Sequence, residues 1–93
     1  MRYVLFGKVN PDWVDKDERV TRSKRKLEEL GIKLEAVLYT QGAYDFVDVI
    51  STRDPTAALA FSAWYATKGF GEIASMPAYT TDEFSDALKQ IQE

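Results

Sequence analysis

The chain of 93 residues contains no cysteine and no histidine. The first absence excludes a disulfide framework, a thiolate nucleophile and every cysteine-ligated metal. The second removes the commonest zinc and haem ligand and the base of a Ser-His-Asp arrangement. Neither a metal nor a cofactor is expected. Apolar runs fall well short of the ~20 residues that span a bilayer, and Met1-Arg2-Tyr3 leads straight into a strand-like pattern without an apolar leader. A cytoplasmic protein with no membrane partner is the expectation. Phosphate-cradling glycine loops, dinucleotide fingerprints and nucleophile elbows are missing. Asp12, Asp15 and Asp17 lack the glycine that a calcium loop requires.

What is present describes a folded chain. Hydrophobic residues make up 45% and aromatic residues 13%, which excludes a disordered polymer. The formal net charge of −3 argues against nucleic acid as a partner. One domain over residues 1–93 is expected, and a chain this short buries only a little over ~60% of its unfolded surface. Without disulfides, oligomerisation is one way to supplement so small a core.

Arg2–Lys8 is a run of strand formers that is apolar on both faces, Tyr3 and Leu5 on one and Val4 and Phe6 on the other. Such a strand suits the centre of a sheet covered on both sides. Asn10-Pro11 reads as an N-cap followed by a first-turn proline. The helix it opens carries a thin stripe of Trp13, Val20, Leu27 and Leu30 and stops at Gly31. Ile32–Thr40 and Ala43–Thr52 then form a hairpin around Gly42, which needs a positive φ. Asp54-Pro55 starts a second helix, Pro55–Lys68, whose apolar residues wrap around it: Leu59, Ala63 and Ala66 on one side, Phe61, Trp64 and Tyr65 on another. A last strand lies within Gly71–Tyr79, where Pro77 favours an edge. Thr80-Thr81-Asp82-Glu83 has the spacing of a capping box for a closing helix to about Gln92.

The fold class is therefore α+β: a ferredoxin-like β-α-β-β-α-β chain with an antiparallel sheet, plus a C-terminal helix. Two helices cover one sheet face. The other would expose Tyr39, Phe46 and Ile50, or Val37, Val47 and Val49, depending on register. Packing two such faces in a twofold homodimer is the simplest solution, and further assembly is compatible with the apolar second helix.

The run YTQGAYDFVDVI (Tyr39–Ile50) resembles the signature of the GYD-domain family, within the dimeric α/β-barrel superfamily. The YVLFGKVN opening, Glu29-Leu30-Gly31 at the end of a Lys/Arg-rich helix, and the AYTTDEF close (Ala78–Phe84) are similar too. In this chain Ala43 separates Gly42 from Tyr44-Asp45. The resemblance implies a dimeric α/β barrel more than a function. A similar hairpin occurs in the effector-binding domains of feast/famine regulators, whose small-molecule sites lie at subunit interfaces. Cofactor-free monooxygenases, isomerases and haem enzymes are among the superfamily's members. The missing histidine removes the haem branch.

Candidate catalytic residues are Asp48, Asp45 and Tyr44. Asp48 sits in the apolar strand Phe46-Val47-Asp48-Val49-Ile50, where a carboxylate must be exposed, paired, or raised in pKa. Pairing with Lys33, Arg2 or Lys8 is its plain structural role. If its face lines the space between two sheets, it becomes a proton-transfer group beside Tyr39 or Trp64. Asp45 can cap the turn, and Tyr44 can pack across strands. Candidate ligand-binding residues are Tyr39, Phe46, Asp48, Trp64 and Trp13. Residues 16–26 hold six Lys/Arg, at 16, 19, 22, 24, 25 and 26, without interleaved aromatics, and read as a solvated helix face. A dimeric binder of a small apolar or aromatic molecule leads, with an inter-subunit pocket. A cofactor-independent isomerase or monooxygenase, and a protein-assembly module, are the alternatives.

Overall fold

Where the sequence alternates apolar and β-branched residues it forms strands, and cap and glycine signals bound the helices between them. The computed structural model describes residues 1–12 and 15–92. In chain order they form β1 (Arg2–Val9), α1 (Lys16–Glu29), β2 (Lys33–Tyr39), β3 (Phe46–Ser51), α2 (Pro55–Thr67), β4 (Gly71–Ala78) and α3 (Thr81–Lys89). The fold is α+β, with one four-stranded sheet in the order β2-β3-β1-β4. Every neighbouring pair is antiparallel. β1 occupies a central position, as its two apolar faces require, and β4 with Pro77 lies at an edge.

The first helix begins later than Asn10-Pro11 suggests. Asp15 is the N-cap, its side chain accepting the Glu18 N–H at 2.9 Å. Asn10 makes a local turn instead: its Oδ1 accepts the Asp12 N–H at 3.0 Å, and its Nδ2 donates to the Gly69 carbonyl at 3.0 Å. An Asn side chain that satisfies a nearby backbone N–H offers the chain an alternative to entering a helix at once. Trp13, expected on the inner stripe and in the ligand set, lies outside the described residues. The other two starts follow their signals. Asp54 caps α2 through the Thr56 N–H at 2.9 Å, and Thr80 and Glu83 form a reciprocal capping box on α3.

The register fixes which face each residue takes. Asp48 stands opposite Leu5 on one side and Val37 on the other, and Phe46 stands opposite Gly7 and Tyr39. These residues, with Tyr3 and Ile50, face the helices. The unbroken pairing of Tyr39 with Phe46 and Val37 with Asp48 puts Val37 on the face of Asp48, while Val47 and Val49 turn the other way, and a bulge between Leu34 and Ala36 brings Leu34 to the face of Val37. The grouping of Val37 with Val47 and Val49 fails because of that pairing. The core consists of Tyr3, Leu5, Leu27, Ile32, Phe46, Ile50, Ala57, Ala58, Phe61, Tyr65 and Phe70.

Two apolar surfaces are left open. On the sheet face away from α1 and α2, Val4, Phe6, Ala36, Leu38, Val47, Val49, Ala74 and Met76 lie side by side. The second surface is α3, in which no residue is buried. Its Phe84 and Leu88, with Ile91 just beyond its end, form a stripe exposed to solvent. The radius of gyration is 14.9 Å, against about 12 Å for a compact chain of this length, and the long dimension reaches 54 Å. Leu59 on the outer side of α2 is also exposed.

Candidate functional site

α1 is polar for a helix lying on a sheet, and it packs by an unusual route. Arg19, Ser23 and Leu27 recur at four-residue intervals and so share its inner face. Its cations sit over aromatic rings: Arg19 5.9 Å from the Phe46 centroid, Arg22 5.1 Å from Phe70 and Lys26 5.7 Å from Trp64. Such contacts are worth ~0.5–1 kcal/mol each when exposed and about 2 when desolvated. The basic run is therefore not a wholly solvated face; part of it seats the helix on the aromatic wall of α2, β3 and Phe70.

Because Arg19 and Ser23 take places that aliphatic residues usually fill, the helix leaves a gap above the sheet. The cavity measures about 230 Å³. Val20, Leu27, Leu34, Val37, Phe46 and Phe61 supply its apolar walls, and Arg19, Ser23, Asp48 and Tyr65 its polar groups, with Tyr39 and Lys24 at the exposed edge. Phe46 packs edge-on against Tyr65 with centroids 5.9 Å apart. Gly7 makes that position possible, since a Cβ there would collide with the Phe46 ring.

Arg19 is only 7% exposed and donates from Nη1 to the Tyr65 hydroxyl at 3.0 Å. Its Nε and the Ser23 hydroxyl are buried with no hydrogen-bond partner among the described residues. Asp48 is 8% exposed. Burial raises its pKa from 3.8 to about 6, and the positive charge of Arg19 partly opposes the rise. Burial likewise raises the pKa of Tyr65. The cross-strand ion pair foreseen for Asp48 is not formed: Arg2 pairs with Glu35 at 3.1 Å, on the bulge.

The sequence candidates divide cleanly. Tyr39, Phe46 and Asp48 meet at the cavity. Trp64 does not line it; the indole stacks on Phe61 at 5.8 Å and meets Phe70 edge-on at 5.5 Å. Asp48 and its neighbours face the helices, so the space they line lies within one subunit rather than on the open sheet face. Among the described residues, no three His, Cys, Asp or Glu side chains converge as a metal site, and no helix is long and apolar enough to cross a membrane.

A family model of the GYD domain matches residues 9–88. The chain belongs to the GYD domain family. No curated protein matches it. The segment that gives the resemblance, Gly42-Ala43-Tyr44-Asp45, holds the site from outside. Gly42 adopts φ +113 in the turn. Asp45 Oδ2 accepts the Val9 N–H at 2.7 Å, while its own N–H donates to the Gly7 carbonyl at 2.7 Å. Tyr44 rests on Phe6 with centroids 5.3 Å apart. In this GYD domain protein the hairpin is thus pinned to β1 immediately before Phe46, which places that ring over Gly7. Arg19 and Ser23 are the site residues that sequence reasoning missed. The available signal was the thinness of the α1 stripe, with polar residues where an inner face should be apolar.

Proposed function

We propose that this GYD domain protein is a homodimeric binder of a small apolar or aromatic molecule, held in the cavity between α1 and the sheet of each subunit. The observation that carries the reading is a cavity with aromatic and aliphatic walls around a few convergent polar groups, one of them Asp48 with its perturbed pKa. At about 230 Å³ it is smaller than the ~300–1,000 Å³ of drug-sized sites, so the ligand is a small one. The open apolar sheet face and the exposed stripe of α3 support the dimer, which would pair two ferredoxin-like subunits as a dimeric α/β barrel.

Native mass spectrometry of freshly purified protein tests both parts. An even-numbered assembly with a small additional mass is expected, and Val37→Trp, which fills the cavity wall, should remove that mass. Val49→Glu on the open face should yield monomers. A wild-type monomer would overturn the dimer, and an additional mass unaffected by Val37→Trp would overturn the location of the site.

The second reading, a cofactor-independent isomerase or related enzyme, is favoured by Asp48 itself. A buried carboxylate with a pKa of about 6 is a stronger base than an ordinary one and is mostly ionised at pH 7. Asp48 would take a proton from a carbon acid, with Tyr39 as polar partner; Asp45 is engaged by Val9 and Tyr44 by Phe6. Deuterium incorporation from D2O into a bound ligand, lost in Asp48→Asn, would distinguish an enzyme from a binder.

A further inference from the structure

Two polar groups of residues lining the cavity lack, among the described residues, the partners that protein interiors ordinarily supply. The Arg19 guanidinium is more than nine-tenths buried; Nη1 donates to Tyr65, and Nε has no partner among the described residues. The Ser23 hydroxyl, one turn along the same helix face, is also without one. Serine and threonine inside helices often bond back to the carbonyl four residues earlier. Ser62 and Thr67 of α2 do so, at 3.2 Å and 2.7 Å. Ser23 does not, and it lines the cavity alongside Arg19.

Both groups donate, and a guanidinium can do nothing else. Each calls for an acceptor oxygen. Arg19 and Lys24 bring two positive charges to the cavity against the single carboxylate of Asp48, leaving room for one more negative charge. The walls around them are Phe46, Phe61 and Tyr65, with Tyr39 at the edge, which suit a flat ring. We infer that the cavity takes a small aromatic monocarboxylate, its carboxylate drawn by Arg19 and Ser23 and its ring among Phe46, Phe61 and Tyr65. The inference rests on the pocket reading above and names the ligand class for that site.

Asp48 supplies a signature of the bound anion. The charged and titratable groups around it are Arg19 and Lys24 from α1, Tyr65 from α2 and Tyr39 from β2, while β1 presents Leu5. An anion on Arg19 competes with ionised Asp48 for the same positive charge. Binding therefore takes up a proton at Asp48, and affinity falls as the pH rises past about 6.

The test is an NMR and calorimetric titration of the full chain with benzoate, 4-hydroxybenzoate and neutral benzamide. The acids should bind at least tenfold more tightly than the amide, shifting amide signals along the inner face of α1 and in β3. Affinity for the acids should fall about tenfold from pH 5.5 to 7.5 in the wild type and change much less in Asp48→Asn. Ser23→Ala should weaken the acids several-fold and narrow the acid-to-amide ratio, and Arg19→Gln should abolish the preference. Should Arg19→Gln fail to fold, Ser23→Ala and the wild-type pH profile decide the matter. Benzamide binding as tightly as the acids would overturn the anion assignment while leaving the cavity as a binding site. Shifts elsewhere, or none with any probe, would overturn the pocket reading and the inference together.

Discussion

Replacing Asp48 with Asn should stabilise the protein at neutral pH, although it removes a charge lying close to a buried arginine. The unfolded carboxyl titrates near 3.8 and the folded one near 6. Between these values the folded state holds the proton more tightly, so stability falls as pH rises through that window, and the penalty is complete above it. A shift of this size corresponds to ~3 kcal/mol at 1.36 kcal/mol per unit. The folded value already includes the opposing attraction of Arg19, so the expected gain is ~1–3 kcal/mol at pH 7, reduced only by how well the amide fits the place of the carboxyl. Urea denaturation of both proteins at one fixed concentration, from pH 4 to 8, measures the effect. The difference should be small near pH 4, grow to pH 6 and then level off. Glu29, Glu35 and Glu83 have lowered pKa values and contribute with the opposite sign, but they are common to both proteins and cancel. A pH-independent difference, or one that shrinks as pH rises, would refute the assignment of Asp48 as a carboxylate destabilised by burial.

Three further outcomes follow from named contacts. Gly7→Ala should cost ~1–3 kcal/mol in chemical denaturation, because the new methyl displaces the Phe46 ring that forms one wall of the cavity. Tyr65→Phe removes the acceptor of the buried Arg19 Nη1 and should lower stability by ~1–3 kcal/mol in the same assay; an unchanged midpoint would mean that Arg19 finds another partner. Thr80→Ala breaks the α3 capping box and should cost ~1 kcal/mol, seen as faster hydrogen exchange at residues 81–84.

The strand pattern, the hairpin and the caps at Asp54 and Thr80 were legible because each depends on neighbours in sequence: alternation, a glycine turn, a side-chain oxygen two or three residues from its N–H. Asn10 was misread by the same logic, since an Asx turn and an N-cap use identical residues, and the distant Gly69 carbonyl decides between them. Candidate Asp48 could be picked out by its incongruity in an apolar strand. Its partner could not, because Arg19 lies 29 positions away inside a basic run that looks solvated.

By itself the sequence determined the order of elements, the absence of thiol and imidazole chemistry, and the family to which the chain belongs. The tertiary structure decided which side of the sheet each strand residue meets, because the bulge at Glu35 reverses parity in β2 and leaves no trace in composition. It also decided that Arg19, Ser23, Asp48 and Tyr65 share one cavity. Convergence of α1, α2 and β3 on a common space is a property of packing, and local periodicity carries no information about it.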